Sequence, residues 1–236
     1  PFDIHGRELF TTASIGIVFD TGEYDGAEEL LRDADTAMYR AKARGKARCE
    51  VFDADMHQSA RQRLEMEMDL TRAVDKGEFR VFYQPILNLV TGRIAGFEAL
   101  VRWFHPHNGM VSPGAFIPLA EETGLIVPMG KYVLGEALRT GAAWLDHDPG
   151  LMMSVNLSVR QFTSETLVQD VDAAIAESGF PARLLKLEVT ESGIMDNAEA
   201  SLALLATLRD RGIKLSIDDF GTGYSSLNYL HRFPFD

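Results

Sequence analysis

The chain has 236 residues, 46% of them hydrophobic and 25% charged, the balance of a folded globular protein rather than a disordered one. Its formal net charge of −12 argues against a nucleic-acid polymer or an anionic membrane surface as partner. No apolar run approaches the roughly 18–20 residues that span a bilayer, and the one cysteine, Cys49, reads as a plain structural thiol in a reducing cytoplasm.

Thr11 to Phe19 is β-branched and apolar and ends at the turn signal Asp20-Thr21-Gly22, so it reads as a strand. Ala27 to Ala43 reads as an amphipathic helix with Leu30, Leu31, Ala34, Ala37, Met38 and Ala41 at helical spacing, and Gly45 is its stop. A strand from Glu50 to Asp53 follows. These elements are too few for a core of their own, so residues 1–55 read as the tail of a domain. Residues 56–73 read as a charged connecting helix with a partial stripe of Met56, Ala60, Leu64, Met68 and Leu70. From Phe79 onward, strand expectations at 79–89, 93–103, 151–156, 184–189 and 213–218 alternate with helices at 114–122, 130–146, 164–178 and 197–211. The first two strands meet at Thr91-Gly92 as a hairpin; the rest imply a parallel sheet with helical crossovers over 74–236.

Side chains alternate across a strand, so polarity can be read face by face. Phe97, Ala99 and Val101 oppose Glu98, Leu100 and Arg102. Leu151, Met153 and Val155 oppose Met152, Ser154 and Asn156. Leu185, Leu187 and Val189 oppose Lys186 and Glu188, while Ile213, Leu215 and Ile217 oppose Lys214, Ser216 and Asp218. Each strand thus has an apolar face and a polar group near its C-terminal end. In a closed β/α barrel such groups converge at the end where these enzymes keep their sites. Glu98, Asn156, Glu188 and Asp218, with Asp219 next in sequence, are hard oxygen donors suited to Mg²⁺ or Mn²⁺. Two such ions roughly 3.5–4 Å apart would clamp a phosphodiester. The six histidines are scattered; His105 and His107 flank Pro106 and read as surface-loop residues without zinc spacing. After the last strand, DDFGTGYSSL at 218–227 offers two glycines for tight backbone geometry.

At these residues the chain resembles the EAL family of cyclic-di-GMP phosphodiesterases. Glu98-Ala99-Leu100 stands within FEALVRW, with Tyr83-Gln84-Pro85-Ile86, Asn156-Leu157-Ser158, Glu188-Val189-Thr190-Glu191 and DDFGTGYSSL in the family's order. The resemblance implies an α/β fold: a TIM-type (β/α) barrel with an antiparallel first strand, incomplete here because the chain ends before the barrel closes. Glu98, Asn156, Glu188, Asp218 and Asp219 correspond to metal ligands for a pair of Mg²⁺ or Mn²⁺ ions in that family, Glu98 being essential to catalysis. Arg102 corresponds to a phosphate-binding arginine, with Leu100 and Gln84 as further substrate contacts. Glu191, counted with Glu98 among the catalytic residues, corresponds to the glutamate that positions the 218–227 loop, a segment that couples metal binding to dimerisation. Residues 1–55 resemble the C-terminal part of an α+β GGDEF domain, on Ala13-Ser14-Ile15-Gly16 and Ala34 to Lys42, and Lys42 and Lys46 fall where that family meets nucleotide phosphates.

The expected function is metal-dependent hydrolysis of cyclic-di-GMP to linear pGpG by the full-length cytoplasmic protein, as a homodimer through its EAL domain. The fragment alone is expected to be inactive and to touch no membrane. The alternative is a cyclic-di-GMP receptor without turnover that signals through dimerisation.

Overall fold

A computed structural model describes residues 2–4, 7–9, 11–19, 24, 26–190, 194, 198–218, 233 and 235. The chain divides into two compact units, Pro1–Met68 and Asp69–Asp236.

In the first unit, β1 (Phe2–Ile4) pairs antiparallel with β2 (Arg7–Leu9). β3 (Ile15–Ile17) pairs parallel with β4 (Cys49–Val51), and α1 (Ala27–Ala43) crosses over between them. The helix obeys its dipole, with Glu28 and Glu29 in the first turn and Arg40 and Lys42 in the last. It lies close on β3: a Cβ on Gly16 would stand 1.9 Å from the carbonyl oxygen of Ala34, so only glycine fits there. The expected strand over Thr11 to Phe19 shortens to three residues because its partner β4 offers only three. The expected apolar stripe of α1 is also narrower. Ala37 and Ala41 are buried, but Leu31 is 69% exposed. Cys49 is exposed.

The helix α2 runs from Ala54 to Lys76. Met56 and Leu70 are buried as the stripe requires, whereas Leu64 and Met68 are both more than half exposed.

The second unit is built on a sheet of five long strands: β5 (Phe79–Leu87), β6 (Ile94–His105), β8 (Met152–Leu157), β9 (Leu185–Thr190) and β10 (Lys214–Asp218). Their order is β10-β9-β8-β6-β5, with the short β7 (Gly109–Val111) paired to β6. β5 is antiparallel to β6; β6, β8, β9 and β10 are mutually parallel. Between them run α3 (Pro113–Thr123), α4 (Ile126–Trp144), α5 (Val159–Phe162), α6 (Leu167–Ser178) and α7 (Ala198–Asp210). α3 starts on Pro113, whose missing N–H costs nothing at a helix start, and stops at Gly124 in the left-handed region. Sequence periodicity missed β7 and α5, which at three and four residues are shorter than any periodic window.

The helix-facing side of the sheet is the core. Met153, Val155, Leu185, Leu187, Val189 and Leu215 are buried against Val133, Leu134, Ala137 and Leu138 of α4, Val171 of α6, and Leu205 and Leu208 of α7. Each fully buried leucine contributes about 1.5–3 kcal/mol of transfer free energy. This is the mixed α/β arrangement expected from the alternation: parallel strands with helical crossovers and an antiparallel first strand.

Candidate functional site

The opposite face of the same strands carries the polar set. Ladder pairing places its residues in rows. Gln84 is opposite Glu98, Glu98 opposite Ser154, Ser154 opposite Lys186, and Lys186 opposite Lys214. One step toward the C-terminal ends, Asn156, Glu188 and Ser216 form the next row, and Thr190 pairs with Asp218 beyond it.

Two of the expected donors meet directly. The Asn156 amide Nδ2 donates to Glu98 Oε1 at 2.8 Å, a contact between residues 58 positions apart in sequence. Glu188 stands in register with Asn156 but its carboxylate is engaged elsewhere, by the Lys186 ammonium at 2.7 Å. Asp218 closes β10 and is exposed. Asp219 and Glu191 lie outside the described residues, as does most of the 218–227 segment. Among the described residues, no three His, Cys, Asp or Glu side chains stand close enough to share a metal ion.

The donor chemistry nevertheless fits a hard divalent cation. Around an octahedral ion with bonds of about 2.1 Å, neighbouring ligand oxygens lie about 3 Å apart. The Glu98–Asn156 separation of 2.8 Å is of that size, and rotating the Asn156 amide presents its oxygen in place of its nitrogen. Beside them the Ser154 hydroxyl is fully buried with no hydrogen-bond partner among the described residues, an unsatisfied polar atom in the floor of the site.

Arg102 and Leu100 line a cavity of about 270 Å³ that also reaches Asn156 and Thr190. Its wall is largely apolar, built from Ile117 of α3 and Ile126, Met129 and Val133 of α4. The Arg102 guanidinium folds back, donating to the Val101 carbonyl at 2.8 Å and lying 5.8 Å from the Phe82 ring centre. Burial raises the pKa of Glu121, which also lines the cavity. Sequence reading missed this wall, although the Ser158-x-x-Gln161 spacing announced a helix start beneath it. Ser158 Oγ accepts from the Gln161 N–H at 3.2 Å, and Gln161 Oε1 accepts from the Ser158 N–H at 3.3 Å.

His105 differs from its expectation as a surface-loop residue. It ends β6 at 7% exposure. Its Nδ1 accepts the amide N–H groups of His107 and Asn108, at 3.2 and 3.1 Å, so the ring proton sits on Nε2 and is donated to Asp69 at 3.0 Å. The loop bends back over the ring, which buries it; His107 stays exposed.

Comparison with known proteins assigns residues 67–236 to the family model described as the EAL domain, and residues 1–48 match that of the diguanylate cyclase GGDEF domain. The chain is 43% identical over 235 residues to the bifunctional diguanylate cyclase/cyclic di-GMP phosphodiesterase MucR of Pseudomonas aeruginosa, covering 99% of this chain and 34% of that protein. It is 40% identical over 237 residues to the cyclic di-GMP phosphodiesterase NbdA of the same organism, covering 30% of that protein. The chain therefore spans about a third of the length of these curated relatives. Among solved structures, a MucR phosphodiesterase in complex with c-di-GMP superposes with a TM-score of 0.70 at 45% identity, over 72% of this chain and 70% of that one.

Proposed function

The chain belongs to the EAL domain family, and from that membership we propose that this protein hydrolyses one phosphodiester of cyclic-di-GMP, giving linear pGpG. Water adds to phosphorus, the bond to the 3′ oxygen breaks, and the product carries a 5′ phosphate. The observation that carries the reading is the Glu98–Asn156 contact on the polar face of neighbouring parallel strands, beside a cavity holding an arginine.

In this reading Glu98, Asn156 and Glu188, with Asp218 and Asp219 at the end of β10, hold Mg²⁺ or Mn²⁺, as a pair of ions. When bound, such ions supply charge neutralisation to the phosphodiester and to the attacking water. Arg102 takes a phosphate oxygen. A charge-assisted guanidinium–phosphate contact is stronger than its bond to a neutral carbonyl, so substrate draws it off Val101. Leu100 and the apolar wall receive a base. At about 270 Å³ the cavity is smaller than the ~300–1,000 Å³ of sites for whole drug-sized ligands, so it takes part of the dinucleotide rather than all of it. Gln84, in register with Glu98, is a further substrate contact, and Glu191 positions the 218–227 segment. A homodimer through that segment and a cytoplasmic location complete the proposal. No helix among the described residues is long and apolar enough to cross a membrane.

The experiment incubates the full-length protein with cyclic-di-GMP and Mg²⁺ or Mn²⁺ and separates the products by chromatography. Linear pGpG that disappears with EDTA is the expected result. Tight nucleotide binding with no pGpG overturns hydrolysis.

A further inference from the structure

Among the donors on the polar face, Glu188 already has a cation. Lys186 lies two residues before it on the same face of β9, and its Nζ reaches Glu188 Oε1 at 2.7 Å, with side chains 29% and 14% exposed. The other charged groups facing Lys186 explain why it points there. Lys214 is directly opposite in the β9–β10 ladder, and like charges in that position repel. Lys214 turns the other way, its Nζ 3.4 Å from Met152 Sδ. On the other flank, Ser154 offers only a short hydroxyl, and the Glu98 carboxylate is taken up by Asn156. The nearest uncommitted carboxylate along the strand is Glu188.

We propose that Lys186 is the resident counter-ion of Glu188 in the metal-free protein, and that divalent metal must displace it, so that Lys186 sets the affinity of the metal site. The proposal rests on the metal-binding reading of Glu98, Asn156 and Glu188 above. It makes Lys186 a positioning residue that touches neither substrate nor reacting atoms. Its ammonium acts against metal twice: it competes for the Glu188 oxygen, and it places a positive charge beside the incoming ion. In return it keeps the carboxylates from repelling one another while the site is empty of metal.

The test is calorimetric titration of the full chain with Mn²⁺, for wild type, Lys186→Met, which keeps the aliphatic stem, and Lys186→Arg, which keeps the charge. Lys186→Met is expected to bind Mn²⁺ about five- to ten-fold more tightly, the change that release of one partly buried ion pair would give. Lys186→Arg is expected to stay within about two-fold of wild type, since it retains the same Coulomb term. Saturating Mn²⁺ should also raise the melting temperature of Lys186→Met more than that of wild type. Should Lys186→Met not fold, Lys186→Gln carries the same expectation. Wild-type binding with equal or weaker binding by the neutral variants overturns the role of Lys186 and leaves the metal site standing. Tighter binding by Lys186→Arg as well as Lys186→Met also overturns it, because charge would not be the cause. No Mn²⁺ binding by any of the proteins overturns the metal reading and this inference with it.

Discussion

Gly96→Ala puts a methyl group where the β6–β8 ladder has no room for one. The new Cβ would stand 2.5 Å from the Met152 carbonyl oxygen and 2.9 Å from the Met152 Cβ. Ordinary contact begins at 3.4 Å, so the shortfall is 3.4 − 2.5 = 0.9 Å. The obstacle is backbone, which cannot swing aside as a side chain can, so the strands must part or slide. Overpacking of this kind costs about 1–3 kcal/mol, and a backbone obstacle belongs in the upper half of that range. Gly96 is two residues before Glu98, so any shift carries directly into the Glu98–Asn156 contact. The chain has two tryptophans, Trp103 and Trp144, and both lie in the Asp69–Asp236 unit. Urea unfolding followed by tryptophan fluorescence therefore reads that unit alone. With a slope of about 2–3 kcal/mol/M, the midpoint should fall by roughly 1 M. Gly114→Ala is the control, because its Cβ would meet nothing nearer than the Ser112 hydroxyl at 3.9 Å, and its midpoint should not fall. A wild-type midpoint for Gly96→Ala refutes the pairing of Gly96 with Met152, and with it the placement of Glu98 opposite Ser154.

Glu98→Ala removes one acceptor from a solvent-accessible face, so stability should change by no more than about 1 kcal/mol. Cyclic-di-GMP hydrolysis by the full-length protein should fall by on the order of 100-fold or more; unfolding of the variant instead would make Glu98 a structural residue. Glu121 has its pKa raised by burial, so its charged form opposes folding at neutral pH, and that penalty vanishes below the unfolded-state value of about 4.3. Glu121→Gln should therefore raise the urea midpoint at pH 7, with the gain shrinking as pH falls toward 4; a gain independent of pH contradicts this. Asp172 has its pKa lowered, first by its hydrogen bonds from Arg211, at 2.6 and 2.8 Å. A lowered carboxylate pKa stabilises the fold above about pH 3.9, and the contribution is lost as pH falls through the folded-state value. Arg211→Met should thus lower the midpoint at pH 6 and do so less at pH 3, and equal losses at both pH values refute the assignment.

Strand parity was legible because it depends only on the two-residue period of an extended chain. Leu185, Leu187 and Val189 are buried and Lys186, Glu188 and Thr190 are not, as alternation requires. The hairpin, the parallel strands and six of the helices followed from periodicity and turn residues. What alternation could not give was any property that two elements share. Lys186 was visible as a polar residue on the Glu188 face, but its ion pair depends on how Lys214 and Ser154 flank it. His105 read as a loop residue because its burial comes from Asp69, 36 positions away, and from a turn that folds back onto its ring. The cavity wall came from α3 and α4, whose apolar faces look like ordinary core in sequence.

Register raises a geometric question that parity leaves open. Counted in ladder rows from Glu98, the donors stand at 0 for Glu98, 2 for Asn156, 2 for Glu188 and 4 for Asp218. On a flat sheet they would be strung out along the strands, each two-residue step being about 6.6 Å. In an eight-stranded barrel of shear eight, tilt displaces the position of equal height by about one residue per strand. Equal height on β6, β8, β9 and β10 then corresponds to rows of about 0, 1, 2 and 3. A side chain can face the interior only on even rows, and 0, 2, 2, 4 follows that staircase as closely as even numbers allow. In such a barrel the four proposed donors would lie near a common height even though no single ladder row contains them. The same count explains the two lysines. Both sit on row 0, which is about two residues below that height on β9 and about three below it on β10. Lys186 is within a lysine's reach of Glu188, whereas Lys214 is one residue too low and turns to Met152. In the proposed role of Lys186, the lysine placed to oppose metal entry is therefore selected by barrel tilt, which no single strand's sequence records.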